Sequence, residues 1–323
     1  MLSRVADALY WMARYVERAE NLARFVDVTF NLQIECGSDA GDVWPSLVNT
    51  TGDQDWFADK YGLATADSVI HCLAFDDDYP NSIISCLRAA RENARSIRET
   101  ISSEMWEQLN QFYIFLREAR AGGEWRQAPQ DFFQEIKLQS HLFKGLTDST
   151  MRRGDGWNFC RLGRLLERAD KTSRLLDVKY YILLPRVDHV NSSIDDLQWQ
   201  AVLRSVSGFE MFRQHHHSIT PRKVVEFLVL DRLFPRAIHY SVLAAERAVH
   251  AITGTPADTF RNPAEQQLGL LRAELAYATV DEIIKSGLHE YLDGLQTKLN
   301  RVGDGIYETF ITTTPVGQRQ EQQ

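Results

Sequence analysis

The sequence predicts an all-α protein with an internal duplication, a helical bundle with pseudo-two-fold symmetry. Three observations carry this. First, Leu9–Val28 (LYWMARYVERAENLARFVDV) returns 150 positions later as Phe159–Val178 (FCRLGRLLERADKTSRLLDV) with seven identities, five of them charged. Second, Val69–Ile97 returns at an offset of 155 from Val224, pairing Asp76 with Asp231, Pro80 with Pro235 and Ala89-Ala90 with Ala244-Ala245. Trp44/Trp199 and Thr65/Thr220 keep the same offset, so the second half gains about five residues before Trp199. Third, long stretches repeat apolar residues every three or four positions, and no alternating run bounded by Asn-Gly or Asp-Gly turns suggests a sheet. A unit of roughly 150 residues is too long for a solenoid repeat of ~20–50 residues.

The elements follow in order. A first helix is expected over 2–34, with Met12, Tyr15, Val16, Ala19, Leu22, Ala23 and Val26 on one side at about 100° per residue. Gly37–Gly62, rich in Gly, Asp, Pro, Asn and Thr, reads as the main irregular segment. Helices follow at 66–75, 81–101, 103–121 and 129–152. The second half brings helices at 157–184, 197–214, 221–230, 235–253, 262–279 and 281–312. Pro80 and Pro235 each stand four residues after an Asp and before a helix, as first-turn prolines would. The expected organisation is one repeat over 1–153, a second over 154–312 packed on it as a single unit, and a disordered tail at 313–323.

Composition bounds the function. Apolar content of 44% and charged content of 25% are ordinary for a globular protein. A net charge of −8 disfavours a general nucleic-acid or acidic-membrane surface, while leaving room for local Arg clusters. Cys36, Cys72, Cys86 and Cys160 form neither a C-x-x-C pair nor a zinc spacing, so reduced thiols are expected. Arg4 and Asp7 interrupt any would-be signal core, and no apolar run nears the ~18 residues of a membrane span. The expectation is a soluble cytoplasmic protein.

The repeated charges are the chemical signal. A packing face tolerates swaps of similar volume, and the apolar positions have indeed been exchanged. Arg14/Arg164, Glu17/Glu167, Arg18/Arg168, Arg24/Arg174 and Asp27/Asp177 have not, and Glu20/Asp170 keeps its charge. Three readings stand: a solvated face with weak ion pairs, a buried Arg–carboxylate network joining the halves, and a seam whose guanidinium forks grip carboxylate or phosphate. In the last, Arg14, Arg18, Arg24, Arg164, Arg168 and Arg174 bind, and Glu17, Glu167, Glu20 and Asp170 are acid/base candidates.

Other motifs are weaker. A dinuclear metal site in a bundle asks for Glu-x-x-His on two helices, whereas these carboxylates alternate with arginines that repel a cation. No metal or other cofactor is expected. His215–His217 precede Ser-Ile-Thr-Pro and read as a surface loop before a metal site. Arg88, Arg91, Arg95 and Arg98 stack at helical spacing, with Glu92 and Glu99 in partial balance. An exposed salt-bridged face is the plain reading there, and an anion site holding Arg91 and Arg95 is the alternative. Phosphate-binding loops, Rossmann glycines and a Gly-x-Ser-x-Gly elbow are all missing.

The segments Met1–Asn21, Ala90–Glu99, Ser103–Asn110, Gly156–Asp170, Phe227–Asp231 and Phe234-Pro235-Arg236 together resemble the bacterial alpha-E family, a helical domain with a repeated Glu-Arg motif. The likeness spans nearly the whole chain. It implies context: such proteins typically stand beside, or fused to, a circularly permuted ATP-grasp ligase. A transglutaminase-like peptidase often accompanies them, and sometimes a proteasome-like peptidase. ATP-grasp enzymes join a carboxylate to an amine through an acyl phosphate. The resemblance thus implies an accessory or scaffold partner that binds such a ligase, or its peptide-like substrate, through the Arg/Glu seam. The alternative is an enzyme or half-site using Glu17 and Glu167 as acid/base groups.

Overall fold

Helix α1 runs from Ser3 to Cys36 as 34 unbroken residues, and nearly all of its inner two-thirds is buried, charged positions included. It lies against α8 (Asp155–Leu183), and these two form the centre of the molecule. The computed structural model describes residues 1–36, 43–183 and 193–312, and within them it is all-α, with fifteen α-helices and no strand.

Each central helix gathers a group around itself. On α1 pack α5 (Ile83–Ser96) and α7 (Pro129–Thr150), with α6 (Ser103–Gly122) bridging those two. On α8 pack α12 (Ile238–Thr253) and α15 (Leu288–Ile306), with α13 (Pro263–Tyr277) bridging them. Two shorter helices cross over: α2 (Val43–Thr51) packs on α8, and α9 (Ser193–Ser205) packs on α1. The remaining helices are α3 (Gln54–Tyr61), α4 (Ala66–Phe75), α10 (Phe209–His215), α11 (Pro221–Val225) and α14 (Val280–Ser286).

Contacts between α1 and α8 climb both helices together. Gly156 faces Leu9, Gly163 faces Tyr10 and Arg14, and Glu167 and Arg168 meet residues 14–18. The two helices therefore run in the same direction. A Cβ added at Gly163 would collide with the carbonyl oxygen of Tyr10, so the bare glycine permits the close approach.

Local chemistry sets several boundaries as expected. Thr65 caps α4 through a capping box with Ser68, Ser82 caps α5 and Ser102 caps α6. Residues 221–230 are helical, with Thr220 capping α11 and a π-helical turn over Glu226–Leu230. The pairs α4/221–230 and Ile83/Ile238 stand 155 residues apart.

Four expectations need correction. The segment 37–62 is not mainly irregular: α2 and α3 occupy much of it. Pro45 falls in the first turn of α2, where a backbone N–H has no helical partner, and Asp53 and Gly62 flank α3. The single helix over 197–214 breaks at Ser207, which has φ 52. The break turns the Ser205 carbonyl and the Ser207 hydroxyl toward Arg24, which donates to both. The helix over 281–312 breaks at Gly287, φ 89, into α14 and α15, and ends in a π-helical turn at Tyr307–Ile311. Pro80 and Pro235 are not first-turn residues, since α5 and α12 begin three residues later, after caps at Ser82 and Ala237. The 313–323 tail lies outside the described residues.

Candidate functional site

The repeated charges meet where α1 crosses α8. Arg168 donates from Nε and Nη2 to the two oxygens of Glu17, at 2.7 and 2.8 Å. In return Arg18 donates from Nε and Nη2 to Glu167, at 2.6 and 3.0 Å, and Arg14 adds a third bond to Glu167 at 2.8 Å. Each Glu-Arg dipeptide thus grips the other. Both forks are bidentate, the strongest geometry an Arg–carboxylate pair offers. Glu17 is 3% exposed and Glu167 0%, which excludes the solvated-face reading.

The two flanks of this clasp differ. Beside Glu17, Glu20 receives Arg24 at 2.8 Å and also Arg236, which comes from the turn before α12. Arg236 further donates to Asn21 at 3.2 Å, and the Arg168 fork is backed by the Pro235 carbonyl at 3.3 Å. Beside Glu167, the third cation is Lys171 of α8 itself. It bonds Asp170 at 2.8 Å and approaches Glu167 at 3.6 Å, and Arg174 bonds Asp170 at 3.1 Å. Where Arg236 stands on the first flank, the second has the neutral Asn81, accepting from Arg18 Nη1 at 2.7 Å.

The space follows the charge. The Glu17/Glu20 flank holds only a small cavity of about 20 Å³, between α1, α7 and α8. The Glu167/Asp170 flank opens into a cleft of about 480 Å³ walled by α1, α8 and α15. Arg14, Arg18, Lys171 and Arg174 line it, with Trp11, Tyr10 and Leu166 on the same side and Asn300, Asp304 and Ile306 opposite. The Arg14 guanidinium lies 4.8 Å from the Trp11 ring centre, a cation–π contact that keeps it extended.

Burial opposes charge on every carboxylate here, and the guanidinium groups outweigh it. Arg168 holds Glu17 below the usual range, Arg236 and Arg24 hold Glu20 well below it, and Arg18 and Arg14 do the same for Glu167. Lys171 and Arg174 keep Asp170 low. All four are ionised near neutrality, with their oxygens occupied. On the tight flank burial, with Arg168 and Arg164 nearby, pushes Lys144 down to about 8. Burial raises the Cys86 and Cys160 thiols to about 12, so neither is a nucleophile.

Of the residues singled out from sequence, Arg14, Glu17, Arg18, Glu20, Arg24, Glu167, Arg168, Asp170 and Arg174 gather in this one network. Arg164 stands at its edge, 3.8 Å from Asp148, with its buried Nε lacking a hydrogen-bond partner among the described residues. Arg91 and Arg95 belong elsewhere. Arg91 bonds Asn110 between the Trp106 and Tyr113 rings, and Arg95 pairs with Glu92 on the outer face of α5. His215 and His217 are exposed at the end of α10, and no metal-ligand group occurs among the described residues. Sequence reasoning missed Lys171, Asn81, Arg236 and Lys144. Lys171 had a signal, standing four residues after Glu167, and Arg236 had one in the Phe234-Pro235-Arg236 segment of the family resemblance; Asn81 comes from a turn distant in sequence and had none.

Residues 1–311 match the family model Alpha-E, described as a predicted alpha-helical domain with a conserved ER motif, and the chain belongs to that family. Glu-Arg dipeptides stand in the chain at Glu17-Arg18, Glu167-Arg168 and Glu246-Arg247. Similar proteins include one uncharacterised protein of Mycobacterium bovis and two of Mycobacterium tuberculosis, each 22% identical over 340 residues. The alignments cover 95% of this chain and 37% of each relative, so the chain spans well under half of their length. No solved structure matches. Among the described residues no helix is long and apolar enough to cross a membrane.

Proposed function

We propose that the chain is a non-catalytic accessory module for an ATP-grasp-type peptide or amide ligase, most naturally a circularly permuted one in the cytoplasm. A transglutaminase-like or proteasome-like peptidase is a further candidate partner. Its two repeats, 1–153 and 154–312, form one pseudo-two-fold body locked by the Glu-Arg clasp. The cleft beside Glu167 is the face offered to the ligase or to its peptide-like substrate.

One observation carries this reading: Glu17, Glu20, Glu167 and Asp170 are all consumed by cations, whereas cations line the open cleft. A general acid or base near neutral pH needs a pKa close to the working pH and a free oxygen. Glu17 and Glu167 have neither, so the acid/base alternative gains nothing from the geometry.

Co-expression with a circularly permuted ATP-grasp protein tests the proposal. A stable complex, with ligase activity raised by the accessory chain, is expected. Failure to co-purify, together with unchanged ligase activity, overturns it. Substitution Asn300→Asp, in the cleft wall and outside the ion-pair network, should weaken the complex or its activity while leaving the melting temperature near wild type.

A further inference from the structure

We propose that the cleft walled by α1, α8 and α15 binds a short acidic peptide, with a carboxylate on the cationic wall and an amine beside Asp304. This rests on the reading of the cleft as the module's ligand-facing surface.

The charge balance points to an oxyanion. Arg14, Arg18, Lys171 and Arg174 line the cleft, and the carboxylates they pair with are two, Glu167 and Asp170. Two positive charges on this wall stay uncompensated. The four cationic side chains are between 14% and 25% exposed, too enclosed for water to neutralise them cheaply. Arg14 uses Nε on Glu167 and Nη1 on the Tyr10 hydroxyl, and its Nη2 has no partner among the described residues. That nitrogen is a donor in place, fixed by the Trp11 ring beneath it, for a carboxylate or phosphate oxygen.

The opposite wall narrows the ligand class. It is part of α15, where Asp304 is exposed with no cation partner among the described residues and Asn300 offers an amide. Leu299 and Ile306 add apolar surface, as do Trp11 and Leu166 across the cleft. A cleft of about 480 Å³ lies in the range of small-ligand sites, ~300–1,000 Å³, enough for a dipeptide or tripeptide. Cations on one wall, a carboxylate on the other and apolar surface between them match a zwitterionic acidic peptide better than inorganic phosphate, which would use one wall only.

Isothermal titration of the full chain with three probes tests this: L-glutamyl-L-glutamate, its N-acetyl derivative, and inorganic pyrophosphate. One equivalent of the dipeptide should bind, more weakly as salt rises. N-acetylation, which removes the amine charge, should cost about fivefold, the worth of an ion pair near ~1 kcal/mol. Two variants outside the clasp locate the site. A Cβ at Gly303 meets nothing within 4 Å, so Gly303→Phe should fill the cleft without a backbone clash and lower affinity at least about tenfold, ~1.4 kcal/mol. Asp304→Asn should cost the free dipeptide about fivefold and leave the N-acetyl form unchanged. Absence of saturable binding, or unchanged binding in both variants, overturns the proposal. Pyrophosphate binding in place of the dipeptide overturns the peptide assignment. Ligase co-purification is independent of these readouts, so either proposal can fail while the other stands.

Discussion

The two flanks of the clasp carry the same Glu-Arg pair and end as opposites. On the Glu17 flank the extra cation is Arg236, delivered from the turn before α12, and Ser140, Phe143 and Lys144 of α7 line a remaining cavity of about 20 Å³. On the Glu167 flank the corresponding turn offers Asn81, the extra cation is Lys171 on α8, and a cleft of about 480 Å³ remains. The closed flank takes its third cation from a distant turn and is walled by α7, whereas the open flank takes it from α8 itself and is walled by α15. The same Glu-Arg pair therefore stands beside a nearly closed flank in one place and an open cleft in the other.

The largest test of this contrast is the pair Glu17→Gln and Glu167→Gln. Removing one partner of a fully buried ion pair costs about 3–5 kcal/mol. Glu17→Gln should fall in that range, because Arg168, 4% exposed, has nowhere to go. Glu167→Gln should cost roughly half as much by the same reasoning, since Arg14 and Arg18 can turn into the cleft and its water. Equal losses in chemical denaturation would erase the distinction between the flanks. Replacing both Glu17 and Arg168 by Met should cost less than Glu17→Gln alone, as no charge is left stranded.

Next in size is Arg236→Asn, which gives the sealed flank the residue type of the open one. Glu20 keeps Arg24, so the expected loss is smaller, about 2 kcal/mol. A new solvent channel beside Glu20 should appear as faster amide exchange around α12. Unchanged exchange would mean that Arg236 is not what closes this side.

Acid should dissolve the clasp in a defined window. Glu17, Glu20, Glu167 and Asp170 are all held below their ordinary values, so the folded chain binds fewer protons there than the unfolded one. Their stabilisation is fully present above about pH 4.3, the unperturbed glutamate value. It is lost as pH falls through the depressed folded values. Glu17→Gln should flatten this acid limb of a stability–pH curve.

The last test concerns Lys144, on the tight flank. Its folded value near 8 lies below the unperturbed ~10.4, so the unfolded chain binds more protons between the two. Stability should rise with pH through that window, and Lys144→Met should remove the rise. A slope that persists in the variant would place the titrating group elsewhere.

Much of this was legible in the sequence, for physical reasons. The limits of α4 could be read because Thr65 is a strong cap and Asp76 ends the apolar run. The charged seam could be read because retained charges among exchanged apolar residues signal pairing. The register of the pairs could not. A helical projection puts Glu17, Glu20, Arg24 and Asp27 opposite the apolar side without saying what covers them, whereas α1 is enclosed on both sides by α5, α7, α8 and α9. The break at Ser207 was invisible for a related reason. The sequence 197–214 is a good helix in isolation, and the break satisfies Arg24, 183 residues away in sequence. The cleft depends on α15 standing across from α8, a placement that local periodicity does not contain.

The seat of Gly163 on the Tyr10 carbonyl restricts how this molecule can breathe. With no slack between their backbones, α1 and α8 form a stiff spine that cannot slip past itself by a turn. Any widening of the cleft falls to α15, which enters at Gly287 and leaves through the turn at Tyr307–Ile311. A partner that pushes on α15 would act on a shutter; one that pushes on the spine would meet only resistance.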